Sequence, residues 1–106
     1  MLSEISDLKK AFRSKNGTFD LTKLDQAPID PATGRRIFGA YNSKTNTITF
    51  YKDFDLSTMA HELLHFKQAV ITKRLGRNLA RSPSDVPILE RQVEMWLYDW
   101  TFTPRF

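Results

Sequence analysis

The chain contains no cysteine and only two histidines among its 106 residues. Without cysteine there can be no disulfides, thiolate metal sites or cysteine nucleophiles, so any site chemistry must use oxygen and nitrogen. No apolar run approaches the roughly 18 residues that span a bilayer, and no signal-peptide pattern opens the chain. The composition is 41% hydrophobic and 12% aromatic, which excludes an intrinsically disordered chain. This length predicts a single domain over residues 1–106.

Acidic residues are also outnumbered, twelve against sixteen basic ones, which gives a formal net charge of +4. A basic small domain can bind nucleic acid when its basic residues cluster on one surface. The densest basic group falls on several faces of a helical pattern and comprises Lys67, Lys73, Arg74, Arg77 and Arg81. The charge therefore favours a solvated surface over a nucleic-acid-binding patch.

The first third of the chain predicts one helix and an irregular segment. Apolar spacing predicts an amphipathic helix over residues 2–15, ended by Asn16-Gly17. Its apolar face comprises Leu2, Ile5, Leu8 and Phe12. Prolines and Thr-Gly indicate turns over residues 18–36. Three apolar residues are expected to hold that segment on the core: Phe19, Leu21 and Leu24.

The rest of the chain predicts a β-hairpin followed by two helices. Hairpin arms are expected at 36–41 and 47–51, because Ile48 and Phe50 alternate with polar residues in the second arm. The strongest helical pattern covers residues 56–75, capped by Asp55 or Ser57 and ended by Gly76. Its apolar stripe comprises Met59, Leu63, Phe66 and Val70. A last helix is expected from residue 86 or 87 to about 98–100, burying Leu89, Val93, Trp96, Leu97 and Trp100.

Both histidines belong to the motif His61-Glu62-Leu63-Leu64-His65, an HExxH sequence on the strongest predicted helix. Residues four apart lie one turn above each other, so both imidazoles can reach one metal ion. Zinc suits neutral imidazole nitrogens and needs no redox or thiolate chemistry. Glu62 can lean toward a water molecule activated by that zinc and act as a general base without being a ligand.

The third ligand of a catalytic zinc must here be an acid, because no further histidine exists. The acids that follow the motif are Asp85, Glu90, Glu94 and Asp99. Glu90 and Glu94 lie one turn apart on the last predicted helix, which would pack antiparallel to the motif helix. We favour Glu90 as ligand, with Glu94 accepting a hydrogen bond from a ligand imidazole. The reverse assignment, with Glu94 as ligand, is the alternative.

Three further residues are candidates for roles around the metal. Gln68 lies one turn beyond His65 on the same face, where it could contact substrate or the groups that surround the ligands. Tyr51 and Tyr98 could each supply a phenol that stabilises an oxyanion, although packing at the rim of the core is the competing interpretation.

The motif and the later glutamates resemble a minimal zincin metallopeptidase of the glutamate-ligand type. In that family a glutamate on a later helix completes the zinc site, and an acid four residues further on supports it. The resemblance implies a small α+β fold in which the active-site helix packs with a short antiparallel β-hairpin and a C-terminal ligand-bearing helix. Glu94 departs from the aspartate that is common at the supporting position.

A narrower resemblance covers about residues 34–100. The segments Gly34–Tyr51, Ser57–Gln68 and Glu90–Leu97 look like the C-terminal zincin toxin domains of bacterial polymorphic toxins. This resemblance implies a toxin that cleaves a protein in a competing cell and is neutralised by a cognate immunity protein. It also implies delivery as part of a larger secreted bacterial protein and action in the cytoplasm of the target cell.

The resulting hypothesis is zinc-dependent hydrolysis of a peptide bond in a protein target. We expect the substrate to pair in extended form with the strand at 47–51, taken to be a free sheet edge. One alternative is a non-catalytic, zinc-stabilised domain that binds an acidic protein. A second alternative is a metal-dependent nuclease toxin.

Overall fold

The computed structural model describes residues 2–102, and side chains as far as residue 100. Helices and strands alternate unevenly along the chain, which confirms the α+β class. In order, they are α1 (Leu2–Ser14), β1 (Thr18–Asp20), β2 (Gly39–Asn42), β3 (Thr47–Phe50), α2 (Leu56–Ile71) and α3 (Asp85–Phe102). No helix within residues 2–102 is long and apolar enough to cross a membrane.

The three strands form one mixed sheet in the order β1-β3-β2. β1 pairs parallel with β3, and β2 pairs antiparallel with it. β1 lies in the segment predicted to be irregular, and that prediction was wrong for Thr18–Asp20. A strand of three residues is too short to show alternation, and its pairing with residues far along the chain leaves no local signal. The same segment buries Phe19 partly, whereas Leu21 and Leu24 are exposed, contrary to expectation.

β3 is the central strand, which corrects the expectation that residues 47–51 form a free edge. The hairpin exists, but its first arm is shorter than predicted, since Arg36 pairs with Ile29 in an isolated bridge. β1 and β2 are the two edge strands, and β2 is the one that borders the motif helix. The amide of Tyr51 donates to the carbonyl of Phe38, so alternation along the ladder leaves the backbone groups of Gly39 and Tyr41 directed away from β3.

Both ends of α2 are closed by local hydrogen bonds. At the start, the Asp55 carboxylate accepts from the amide of Thr58, whose side chain bonds back to the Asp55 amide in a capping box. The helix ends at Ile71 rather than near residue 75. Lys73 adopts the left-handed conformation (φ 56°), and the amide of Arg74 returns to the carbonyl of Ala69. Gly76 has a positive φ, but it lies beyond this stop.

The core lies between the sheet, α1 and one face of α2. Its buried side chains are Ile5, Phe12, Ile48, Phe50, Ala60, Leu63 and Phe66. Phe12 contacts the ring of Phe66 edge-on at 5.1 Å between centroids, and Phe50 stacks on Phe54 at 4.4 Å. Leu2 and Val70 were expected in apolar faces, but both are exposed. The aromatic core therefore supports the N-terminal part and the middle of α2, where the motif lies.

α3 packs against α2, and its Leu97 and Trp100 also reach the core. The carboxylate of Asp85 accepts from the amides of Arg81 and Ser82 and so orders the approach to the helix. Val93 is fully buried, and the other residues of the expected face are partly buried: Leu89, Trp96, Leu97 and Trp100. This docking brings the first turns of α3 against the histidines of α2.

Candidate metal centre

The two histidines lie one turn apart on α2 and direct their rings toward the same point. Their Nε2 atoms are 3.1 Å apart, and the ring planes meet at 74°. His65 is buried and His61 is partly exposed. The edge-on arrangement presents two nitrogen atoms to one position at the surface of the helix, as a shared metal ion requires.

Glu90 on α3 completes a cluster of three potential ligands. Its Oε2 lies 2.9 Å from His61 Nε2, and its Oε1 lies 3.0 Å from His65 Nε2. One donor atom from each residue can be chosen so that all lie within 4.8 Å of one another. The structure therefore brings together the three residues that the sequence analysis favoured, and this group could hold a metal ion.

The donor set and its spacing suit a small divalent ion. Bonds of about 2.0–2.1 Å to a tetrahedral zinc would place two donor atoms about 3.4 Å apart. The observed separations of 2.9–3.1 Å are a few tenths of an ångström shorter. Small adjustments of the side chains would therefore admit the ion. Two imidazoles and one carboxylate are ligands that zinc accepts, although other first-row metals accept them too.

Without a metal, close contacts between the two imidazoles and the Glu90 carboxylate hold the cluster together. Burial lowers the pKa of His65, but the hydrogen bond to Glu90 and the charges of Glu62 and Glu90 outweigh it, so the pKa is raised overall. Hydrogen bonds from His61 and His65 hold the pKa of Glu90 far below its ordinary value. A metal ion competes with protons for the imidazole nitrogens, so we expect metal affinity to increase with pH.

Glu62 stands beside the cluster without belonging to it. Its side chain is buried, and this burial raises the pKa of the carboxyl group. The nearby histidines and the backbone N–H of Tyr41 oppose that rise, since each stabilises the carboxylate. A carboxyl group with a raised pKa next to a potential metal site is suited to accept and return a proton.

The edge strand β2 lies close to Glu62 because residue 39 is glycine. A Cβ atom at Gly39 would lie 2.7 Å from the Thr58 Cγ2 atom and 3.2 Å from the Glu62 Cγ atom. Thr58 cannot move aside freely, because it belongs to the capping box of α2. The absence of a side chain therefore allows the unpaired edge of β2 to approach the carboxylate.

The cluster opens into a cavity of about 810 Å³. One wall is formed by β2 and the preceding residues, and the other by α2, the start of α3 and the loop before it. Near the histidines the loop and α3 contribute apolar side chains: Leu79, Ala80, Val86 and Leu89. A cavity of this volume can hold several residues of a peptide or a small ligand.

Of the other predicted site residues, Gln68 contacts a ligand as one of its two expected roles required, whereas Glu94, Tyr51 and Tyr98 do not lie at the site. Glu94 is exposed, and the acceptor at His65 Nδ1 is Gln68 Oε1 instead, at 2.8 Å. Gln68 is 1% exposed, which turns it toward the ligands rather than toward a substrate. Tyr51 and Tyr98 are outside the cavity lining, whereas Tyr41 belongs to it. Burial raises the pKa of the Tyr41 hydroxyl, which donates to Asn46 Oδ1.

Sequence reasoning missed the contributions of Gly39 and Tyr41. A glycine inside a predicted strand was a usable signal, because such a residue often marks a close approach of two backbones. The backbone amide of Tyr41 leaves no such signal in its side chain. Comparison of the chain with protein-family models, with curated proteins and with solved structures gives no match.

Proposed function

We propose that this chain is a zinc metallopeptidase of the minimal zincin type. The main support for this proposal is the position of the buried Glu62 beside the His61–His65–Glu90 cluster. Both lie at a cavity bordered by an unpaired strand edge. Hydrolysis of a peptide bond needs a group that moves a proton beside a Lewis acid, together with a surface that holds an extended chain. The described residues offer candidates for each of these requirements.

When bound, the ion would supply the Lewis acid that lowers the pKa of a water molecule toward ~7 and polarises the scissile carbonyl. His61, His65 and Glu90 would hold it. The Glu62 carboxylate takes the proton as the water oxygen attacks the carbonyl carbon. Glu62 then gives the proton to the leaving nitrogen as the C–N bond breaks. The raised pKa of Glu62 favours this role, because the group must be able to carry the proton between the two steps.

The substrate would pair with β2, not with the strand at 47–51 that the sequence suggested. The outward amide and carbonyl of Gly39 and the outward carbonyl of Tyr41 can bond an extended peptide, while the outward N–H of Tyr41 faces the Glu62 carboxylate. Both residues line the cavity. Pairing at this edge would run the peptide past Glu62. The apolar residues on the opposite wall, Leu79 and Val86 among them, would contact its side chains.

The biological setting that we propose follows the resemblance to polymorphic toxin domains. The chain would be delivered as part of a larger secreted bacterial protein and would cleave a protein in the cytoplasm of a competing cell. A cognate immunity protein would protect the producing cell. The basic composition, with a net charge of +4, suits an acidic inhibitor.

The test compares wild type with Glu62→Gln, using Glu94→Gln as the matched control on an exposed glutamate. New protein N-termini are mapped in cells that express each variant, and the zinc content of each purified protein is measured. We expect about one zinc per chain in all three proteins. New N-termini should be present with wild type and Glu94→Gln and absent with Glu62→Gln. Equal cleavage by zinc-loaded Glu62→Gln would contradict the mechanism.

One observation favours a second candidate, a non-catalytic domain that zinc stabilises. α3 carries a half-exposed ligand, and Val93 is its one fully buried side chain among residues 85–100, so a metal bridge to α2 would add to its docking. In that case wild type would produce no new N-termini, and zinc would still raise the melting temperature.

A further inference from the structure

The amide of Gln68 occupies a buried position between α2 and α3. Its Oε1 lies 2.8 Å from His65 Nδ1, and its Nε2 donates to the Leu89 carbonyl at 2.8 Å and to Gln92 Oε1 at 3.1 Å. The side chain is 1% exposed. Both N–H groups and the carbonyl oxygen of this amide therefore have partners, all supplied by the metal-ligand histidine or by α3.

These partners fix which end of the amide faces the histidine. A backbone carbonyl only accepts hydrogen bonds, so the group that faces Leu89 must be the NH₂ of Gln68. The oxygen of Gln68 then faces His65, and an oxygen without a proton can only accept. His65 must therefore carry a proton on Nδ1. Its Nε2 atom keeps a lone pair directed toward His61 and Glu90 when the ring is neutral.

The same amide also fixes the position of α3 beside the cluster. Leu89 immediately precedes Glu90, so the bond from Gln68 to the Leu89 carbonyl holds the backbone next to the third ligand. Gln92 lies on the following turn. His61 differs, because no side chain among residues 2–100 holds its Nδ1 atom in the same way. One amide thus connects the ring of one ligand with the helix that carries another.

We propose that Gln68 is a positioning residue that fixes the tautomer of His65 and the position of Glu90 together, so that the metal site is formed before the ion binds. This inference rests on the metal site of the proposed function, and it does not require peptide hydrolysis. Partners that orient ligand imidazoles typically change metal affinity by 10–100-fold when they are lost. A glutamine that only filled space between helices would not have this effect.

The test measures zinc affinity by competition with a chromophoric chelator, and the melting temperature of each metal-free protein. Gln68→Met removes the acceptor and the donors while keeping a side chain of similar length. Gln68→Glu keeps an acceptor oxygen toward His65. Gln92→Met is the control, because it removes one hydrogen-bond acceptor of the Gln68 amide and leaves the contact between Gln68 and His65 in place. All affinities are measured at a temperature where the metal-free variants are folded.

We expect Gln68→Met to bind zinc about 10–100-fold more weakly than wild type, with Gln68→Glu losing less than about tenfold and Gln92→Met less than about threefold. A positioning role predicts this order of the three zinc affinities. A loss of packing would instead lower the melting temperatures of the metal-free variants. If Gln68→Met fails to fold, the zinc affinities of Gln68→Glu and Gln92→Met are still compared with that of wild type. Gln68→Glu must then lose less than about tenfold in zinc affinity.

Two results would overturn the inference while leaving the peptidase proposal intact. One is Gln68→Met binding zinc as tightly as wild type. The other is Gln92→Met losing as much affinity as Gln68→Met. If wild type bound no zinc, the inference and the proposed function would fail together. If wild type bound zinc and cleaved nothing, only the peptidase function would fail.

Discussion

The two helices that carry the candidate ligands are held in the molecule in different ways. α2 is buried on nearly every side between residues 60 and 69 and is closed by caps at both ends. α3 buries Val93 completely, while several of its large apolar side chains are exposed, among them Val86, Ile88 and Met95. The two histidines therefore stand on a rigid support, and Glu90 stands on a helix with less support of its own.

This difference assigns separate tasks to the two helices. α2 orders His61, Glu62 and His65 through the packing of the aromatic core, which does not depend on a metal. The position of Glu90 depends on the docking of α3, to which the bonds of Gln68 contribute. Substitutions on the core face of α2 should therefore act first on folding, and substitution of Glu90 on α3 should act first on metal affinity.

The largest effect should come from truncating the core face of α2. Leu63 is fully buried in the aromatic core, and Leu63→Ala should lower the free energy of unfolding by about 2–5 kcal/mol. Ile88→Ala on α3 is the matched control, because its side chain is 68% exposed and its loss should cost less than about 0.5 kcal/mol. Urea unfolding of the metal-free proteins measures both. Similar losses in the two variants would remove the proposed contrast between the helices.

The second effect should be confined to metal binding. Glu90→Ala removes a ligand from α3 and should weaken zinc binding by more than the roughly 100-fold that marks the loss of a supporting group. Glu94→Ala, one turn further along, should change zinc affinity by less than about threefold. Isothermal titration with zinc checks both variants. Retention of zinc by Glu90→Ala together with its loss in Glu94→Ala would transfer the ligand role to Glu94.

The sequence predicted those parts of the site that local spacing controls. His61, Glu62 and His65 share one helix, so the period of that helix determines their arrangement. Glu90 could be proposed because few acids follow the motif. The supporting role was assigned to Glu94 because it lies one turn beyond Glu90, whereas the structure gives that role to Gln68. The hydrogen bonds of Gln68 depend on the rotation of α3 about its axis, which no local pattern reports.

The fold shows the same limit. The hairpin and all three helices were predicted, but the strand order was not, because the parallel pairing of β1 with β3 joins residues 18–20 to residues 47–49. That missing pairing also changed the interpretation of the site. Once β3 lies in the centre, the free edge near Glu62 belongs to β2. Gly39 then allows this edge to approach Glu62, which its position in a predicted strand did not by itself indicate.

The smallest effect concerns the cost of keeping Glu62 buried on the rigid helix. Burial raises the pKa of its carboxyl group, so folding is penalised wherever the unfolded chain would be ionised at this residue. This penalty is absent below the ordinary pKa of 4.5 and grows as the pH rises toward the raised folded-state value. Glu62→Gln should therefore raise the melting temperature of the metal-free protein at neutral pH.

The pH dependence of that gain separates it from a change in packing. The difference in melting temperature between Glu62→Gln and wild type should shrink as the pH falls and vanish below about 4.5. Glu94→Gln, on an exposed glutamate of α3, should show no comparable gain at any pH. Calorimetry at a series of pH values measures all three proteins. A Glu62→Gln protein that is less stable than wild type at neutral pH would mean that the buried carboxylate stabilises α2. Burial of Glu62 would then carry no penalty in the free energy of folding.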